Sequence, residues 1–131
     1  MKHLFLIILG IIGLVLISGC VTEQEEEIIF SLENISTDKV LYHSSENVNL
    51  TAMIYSKSDL ENVTIIAAGI NERLNEKKIL DLKTGINEIS FSYNLPKCNV
   101  CGGISAGNYN LNCRVIYKNI TAEKSVTINL Q

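Results

Sequence analysis

The chain has 131 residues, which is the length of one domain. Charged residues make up 19% of it, the formal net charge is −3 and no basic run occurs, which argues against nucleic acid or an anionic membrane surface as a partner. Hydrophobic residues make up 47%, and much of that share lies in the first 19 residues. Collagen-like, coiled-coil and wholly disordered chains are excluded by the same composition.

The chain begins with a segment that predicts export. Met1, Lys2 and His3 give a positively charged start, and the fourteen residues 4–17 contain no polar side chain. As a helix, this run would rise about 21 Å, which is less than the roughly 30 Å thickness of a bilayer's hydrocarbon core. Such a length is typical of the apolar region of a signal peptide.

The apolar run ends in Ile17, Ser18, Gly19 and Cys20. These four residues are similar to the lipobox of prokaryotic lipoproteins, an aliphatic residue followed by a small residue, Gly and Cys. The resemblance implies cleavage before Cys20, lipid on the Cys20 sulfur and attachment to the extracytoplasmic face of the cell membrane. Two acyl chains on one cysteine give stable anchoring. An uncleaved N-terminal anchor and ordinary signal cleavage are the alternatives.

The segment after Cys20 is acidic and has no apolar face, so it predicts a solvated tether. The predicted organisation is therefore a signal peptide with lipobox at residues 1–19, a lipidated cysteine and tether at residues 20–27, and a folded domain at residues 28–131.

Apolar and polar residues alternate through most of the folded domain, as they do in residues 47–55, where Val48, Leu50, Ala52 and Ile54 share one face. This period of two predicts strands of a half-buried sheet. Residues 71–81 are the least regular stretch and also allow a helical turn. The predicted strands are residues 28–34, 39–42, 47–55, 62–70, 76–82, 86–95, 108–118 and 123–131.

Eight short strands in about a hundred residues predict a sandwich of two sheets. Residues 42–50 are similar to the Tyr-x-x-Gly-Glu-x-Val-x-Leu strand entry of immunoglobulin-like modules in prokaryotic surface proteins, although Ser45 replaces the glycine and the chain has no Trp. Residues 85–89 and 107–109 resemble later strand entries of the same modules. The resemblance implies an all-β, immunoglobulin-like antiparallel two-sheet sandwich and carries no information on activity.

Three cysteines remain once Cys20 is assigned to lipid, so at most one intramolecular disulfide can form. Cys98 and Cys101 lie close together in a glycine-rich loop, whereas Cys113 falls on the apolar face of a strand. We therefore predict a Cys98–Cys101 disulfide and a buried Cys113. A thiol redox centre, or a zinc site with His43 as a further ligand, is the alternative.

Four asparagines begin Asn-x-Ser/Thr sequons: Asn34, Asn49, Asn62 and Asn119. Asn49 is predicted to face water and Asn119 to lie at a hairpin turn, and chance in an Asn-rich chain is the alternative explanation. Together with the lipobox, exposed sequons indicate an archaeal cell surface.

The sequence assembles no active site. His43 lies in a polar loop, the glycines have neither dinucleotide nor P-loop spacing, and the carboxylates Asp38, Glu46, Asp59, Glu61 and Asp81 are scattered over turns, where we expect them to be solvated. We predict no enzyme activity, no cofactor and no metal.

The predicted function is that of a lipid-anchored cell-surface binding module whose loop at residues 98–108 contacts a protein partner. A structural accessory subunit of a cell-envelope assembly or transporter is the second hypothesis. A membrane-anchored thiol redox or metal-binding protein is the third.

Overall fold

The structure is a computed structural model that describes residues 27–97 and 103–131. Within these residues the chain forms strands and turns without a helix. The eight strands are β1 (Phe30–Thr37), β2 (Leu41–Tyr42), β3 (Asn47–Ser56), β4 (Leu60–Gly69), β5 (Leu74–Leu82), β6 (Gly85–Asn94), β7 (Gly107–Tyr117) and β8 (Ile120–Leu130).

The strands form two sheets, one of three strands in the order β1-β3-β6 and one of five strands in the order β2-β8-β7-β4-β5. This arrangement confirms the all-β, immunoglobulin-like two-sheet sandwich. Among the described strands every pair is antiparallel except β2 with β8, which is parallel. The parallel pair forms because the chain crosses from the first sheet to the second between β1 and β2 without reversing its direction.

The core lies between the two sheets and follows the predicted alternation. In β3, the side chains of Val48, Leu50, Ala52 and Ile54 are buried, while the intervening side chains are exposed or half-buried. Full burial of an aliphatic side chain of this kind contributes about 1.5–3 kcal/mol to stability. The inner faces of all eight strands contribute to one cluster, which includes Tyr42, Phe91 and Cys113.

Residues 71–81 do not form a helical turn. Ile70, Asn71 and Glu72 all have positive φ angles of 53°, 53° and 66°, and Arg73 N donates to Ile70 O at 3.2 Å, so the chain reverses here. β5 then pairs antiparallel with β4 from Leu74 onwards. The hairpin gives the backbone groups of β5 that point towards β4 partners on that strand, which an isolated helical turn could not do.

Two lysines bridge the two sheets, one at each side of the sandwich. Lys78 of β5 donates from Nζ to the carbonyl oxygen of Ser90 on β6, and its Nζ lies 4.7 Å from the centroid of the Phe91 ring. On the other side, Lys124 Nζ of β8 donates to Glu33 O on β1 at 2.6 Å. Each edge strand of the three-stranded sheet therefore has a backbone carbonyl covered by a lysine from the opposite sheet, which disfavours strand addition there.

Candidate interaction surface

The strand register defines two ends of the sandwich. Phe30 pairs with Ser56, and Ser56 pairs with Gly85, so the start of β1 lies beside the end of β3 and the start of β6. Glu27 and Ile28 adjoin Asn119 of the β7–β8 turn in the same region. We call this the N-terminal end, because the chain enters the sandwich here.

The opposite end, here called the far end, carries residues 38–46, the turn at 70–73, and residues 95–97 and 103–106 of the β6–β7 connection. Leu95 N donates to Glu46 O at 2.9 Å, and Gln131 N donates to Tyr42 O at the same distance. The first bond holds the start of the β6–β7 connection beside the β2–β3 turn, and the second holds the residue after β8 beside β2. The loop predicted to contact a partner is therefore attached at the end of the sandwich that lies farthest from Glu27.

Several predicted sites lie outside the described residues. These are the signal peptide, the lipidation site Cys20, most of the tether, and the predicted disulfide between Cys98 and Cys101. They remain predictions. Among the residues that the structure does describe, no helix has the length and apolar character needed to cross a membrane.

The described parts of residues 95–106 are held firmly on both sides of the gap. Leu95 and Ile104 are only 6% and 8% exposed, so both anchor the connection to the core. Ser105 O also accepts a hydrogen bond from the Tyr109 hydroxyl at 2.7 Å. The connection therefore leaves the core and returns to it at fixed points.

A shallow recess at the far end is lined by His43, Leu95, Pro96 and Ile104, with Leu130 at its base. Its interior of about 10 Å³ holds about one water molecule, far less than the several hundred cubic ångströms of a small-molecule site. The recess nevertheless places His43 beside Leu95, Pro96 and Ile104 of the β6–β7 connection, a proximity that their separation in sequence does not reveal.

The contacts around His43 hold the β2–β3 turn in place. Glu46 accepts a hydrogen bond from His43 N and another from Lys39 Nζ, both at 2.9 Å, and these two donors hold the pKa of Glu46 below its usual value. The His43 ring lies with Nδ1 3.8 Å from Glu46 Oε2 and is largely exposed. Ser45 completes the turn with a φ of 66°, the left-handed conformation that favours the glycine it replaces.

The turn carboxylates are exposed or half-buried, as expected of solvated groups, and four of them also accept a hydrogen bond from a backbone N–H. The pairs are Asp38 with Asn49 N at 3.0 Å, Glu46 with His43 N at 2.9 Å, Asp59 with Thr84 N at 2.8 Å and Asp81 with Asn62 N at 2.9 Å. These carboxylates hold the fold and are not arranged as an acid–base pair.

A buried tyrosine makes the most extensive of these contacts. The Tyr42 side chain is fully buried, and its hydroxyl donates to Asp38 Oδ1 at 2.6 Å while accepting from Lys39 N at 3.0 Å. Burial, followed by the Asp38 contact, raises the pKa of Tyr42 to about 12. Partial burial acts to raise the pKa of Asp38, but hydrogen bonds from Tyr42 and Asn49 outweigh it and lower that pKa.

Cys113 is buried on the inner face of β7 between Leu111 and Val115, as predicted, and is a free thiol. Burial, with a smaller effect of Glu123, raises the pKa of Cys113 to about 11, so the reactive thiolate does not form near neutral pH. Within residues 27–97 and 103–131, no group of three His, Cys, Asp or Glu side chains could hold a metal ion.

The four sequon asparagines are all exposed, but their surroundings differ. Asn34 lies at a bulge in β1 and Asn62 at a bulge in β4, where its φ is 58°; Asn119 lies in the β7–β8 turn. Asn49 lies within β3, and its amide contacts both Asp38 Oδ2 at 3.4 Å and the Ser92 hydroxyl at 2.9 Å. Asn49 is therefore the least accessible acceptor of the four.

No family model matches the chain, and no curated protein matches its sequence. Solved structures resemble its fold. The CARDB domain of a protein from Pyrococcus furiosus has a TM-score of 0.54 at 10% identity, with 78% of this chain and 94% of that one covered. The alkylpurine DNA glycosylase AlkC of Pseudomonas fluorescens, bound to DNA containing an abasic site analogue, has a TM-score of 0.59 at 11% identity.

The match to AlkC covers 79% of this chain but only 30% of the glycosylase. The sporulation control protein Spo0M of Bacillus subtilis has a TM-score of 0.52 at 13% identity, with 79% of this chain and 49% of that one covered. At these identities the three similarities establish a shared fold and nothing about activity.

Proposed function

We propose that this chain is a lipid-anchored module on the extracytoplasmic face of a prokaryotic cell membrane that binds a protein partner through the far end. The observation that carries the proposal is the position of residues 95–97 and 103–106 of the β6–β7 connection at the end opposite Glu27. A domain anchored through residues before Glu27 presents that connection away from the bilayer.

The dimensions support this geometry. A ten-residue strand such as β3 spans about 33 Å, and the preceding tether of about seven residues can add up to about 25 Å when extended. The far end then stands several tens of ångströms from the lipid headgroups. An archaeal origin belongs to the same proposal and is supported by the exposed sequon residues Asn34, Asn62 and Asn119.

A role in binding, without catalysis, is supported by the contacts of the polar side chains and by the size of the far-end recess. The turn carboxylates accept backbone N–H groups, the Cys113 thiol is buried, and the far-end recess is too small for a substrate. The far end instead offers fixed, exposed residues, among them His43, Lys97 and Ser105. Such residues on a rigid scaffold are suited to protein recognition.

The anchor is tested by the intact mass of protein extracted from membranes, alkylated with and without prior reduction. The proposal expects a chain that begins at lipidated Cys20, has one free thiol before reduction and has three after it. An uncleaved chain beginning at Met1 with all four cysteines as free thiols would contradict both the anchor and the Cys98–Cys101 disulfide, and would favour the metal-binding hypothesis.

The binding surface is tested by cross-linking in intact cells with two matched variants. One carries alanine at His43, Lys97 and Ser105 of the far end, and the other carries alanine at Lys57, Lys83 and Thr84 of the N-terminal end. We expect the far-end variant to lose at least about ten-fold of the cross-linked partner while the N-terminal variant retains it. Equal recovery with both, at fixed stoichiometry, would instead favour an accessory subunit of a larger assembly.

A further inference from the structure

β5 is an edge strand of the five-stranded sheet. The edges of the three-stranded sheet each have a carbonyl occupied by Lys78 or Lys124. In the described part of the chain, by contrast, no side chain donates to or accepts from a backbone group on the free side of β5. An unpaired edge of this length is able to accept another strand.

The outer face of β5 has an ordered pattern of charge. Lys77, Ile79 and Asp81 follow one another on this face, so a cation, an apolar side chain and an anion are spaced two residues apart. Ile79 is 60% exposed, so its side chain is available for contact. Asp81 uses Oδ1 to accept from Asn62 N, which leaves Oδ2 available to a further donor.

This pattern is complementary to itself when the strand is reversed. In an antiparallel pair of two β5 strands centred on Ile79, each Lys77 lies opposite Asp81 of the other copy and the two Ile79 side chains meet at the centre. Directly opposed side chains have Cβ atoms about 4.5–5.5 Å apart, a distance suited to both contacts. A register centred on Lys77 or on Asp81 would instead bring like charges together.

We propose that a second copy of this chain pairs with the first through β5, in the antiparallel register centred on Ile79. The two five-stranded sheets then form one continuous sheet of ten strands. An edge-to-edge contact buries less surface than a permanent dimer interface, so the association is weak and depends on concentration.

The antiparallel register also sets the orientation of the two copies. Their strands run in opposite directions, so their N-terminal ends point in opposite directions. If the proposed anchor is correct and each domain stands upright on its tether, pairing through β5 joins two facing membranes, because the two N-terminal ends then point away from each other. This second step rests on the proposed function, whereas the pairing itself does not.

Pairing is tested by sedimentation equilibrium of residues 27–131, which contain the whole core from Phe30 to Leu130 and both complete sheets. The protein is produced without N-glycans, because Asn62 lies beside Asp81. We expect a concentration-dependent dimer that Lys77→Asp and Asp81→Lys each weaken by about ten-fold, since each change acts twice in a symmetric pair. The double variant Lys77→Asp/Asp81→Lys should return to within about three-fold of the original affinity.

The control is Lys118→Asp, which makes the same charge change in the β7–β8 turn and should leave the dimer unchanged; thermal melts establish that every variant is folded. A monomer at all concentrations, failure of the double variant to recover, or an equal loss with Lys118→Asp would overturn the pairing.

The orientation is tested separately by attaching residues 27–131 to lipid vesicles through an N-terminal histidine tag and a nickel-chelating lipid. Light scattering should report vesicle clustering with the unaltered sequence and with the double variant, but not with either single variant. A dimer in solution that fails to cluster vesicles would overturn the bridging of membranes while leaving β5 pairing intact. Neither result depends on whether Cys20 carries lipid.

Discussion

The two ends of the sandwich hold their turns with the same kind of contact in different surroundings. At the N-terminal end, Asp59 accepts hydrogen bonds from the backbone and the hydroxyl of Thr84, and every group involved is exposed. At the far end, Asp38 accepts from Asn49 N and from the hydroxyl of Tyr42, whose side chain is fully buried. Water can replace the first set of contacts much more readily than the second.

The comparison indicates that sequence separation and hydrogen-bond length do not reveal how much a contact matters to stability. A buried donor left without an acceptor loses the hydration that an exposed donor regains. The far end should therefore be the less tolerant of the two to substitution, and the matched pairs of changes below test that expectation.

The largest difference is expected between two glycines. Alanine at Gly69, beside the far-end turn, would place its Cβ 2.3 Å from Asn110 O, whereas alanine at Gly85, at the N-terminal end, would meet no atom within 4 Å. Gly69→Ala should cost about 3 kcal/mol of unfolding free energy because the β7 backbone must move, and Gly85→Ala about 1 kcal/mol for its φ of 100° alone. Urea denaturation measures both, and equal losses would contradict the close approach of β4 and β7.

The two aspartates should differ in the same direction. Asp38→Ala should cost about 2 kcal/mol because it leaves the Tyr42 hydroxyl and Asn49 N without their acceptor, whereas Asp59→Ala should cost clearly less. The pKa of Asp38 is lowered on folding, so its contribution is present above the ordinary value of 3.8 and is lost as the pH falls through the lowered value. Urea denaturation should show a smaller Asp38→Ala penalty at pH 3 than at pH 7. A penalty that does not change with pH would count against an ionised Asp38 as the acceptor of these hydrogen bonds.

Alkaline pH should act through Tyr42. Its pKa is raised from 10.0 to about 12 on folding, so the stability that the neutral phenol contributes is present below pH 10 and is lost as the pH rises towards 12. Unfolding followed by circular dichroism should show a steeper alkaline loss for the unaltered protein than for Tyr42→Phe. Tyr55→Phe is the control, because the Tyr55 ring is 42% exposed at the N-terminal end, and it should keep the steep loss.

Much of this organisation follows from the sequence. The alternation in residues 47–55 and 108–118 predicts β3 and β7 correctly, because a period of two has one structural interpretation when one face is apolar. The pairing of β2 with β8 could not be predicted, since two residues carry no periodicity. The Tyr42–Asp38 contact could not be recognised either, because nothing local indicates that Asp38 faces a buried hydroxyl.

The positions of Lys78 and Lys124 at the sides of the sandwich could have been predicted from the alternation of the sequence. Lys78 occupies a position of β5 in phase with the buried Leu74 and Leu82, and Lys124 is in phase with the buried Ile128 of β8. A lysine on the apolar face of a strand indicates an edge, because its long chain can leave the core and reach solvent or a free carbonyl. The predicted disulfide between Cys98 and Cys101 lies outside the described residues and remains a prediction.

The smallest effects are expected at two turn residues with positive φ angles. Ser45 at the far end and Lys118 at the N-terminal end have φ angles of 66° and 52°, and Gly adopts this conformation without a clash of its own Cβ. Ser45→Gly and Lys118→Gly should each raise the unfolding free energy by about 0.5–1 kcal/mol, which thermal denaturation can resolve. Because neither side chain is buried, the two gains should be similar. A gain at one end alone would contradict the expectation that the two turns respond alike.

The parallel pairing of β2 with β8 also constrains when the domain can fold. Val40 and Tyr42 receive hydrogen bonds from Asn129 and Gln131, residues that a ribosome adds long after β2 has been made. Contacts between such distant residues slow folding, because the intervening chain must be ordered before they form. During synthesis, the five-stranded sheet therefore cannot be completed until β8 has been made. A chain that stays incompletely folded until then is compatible with export in an unfolded state.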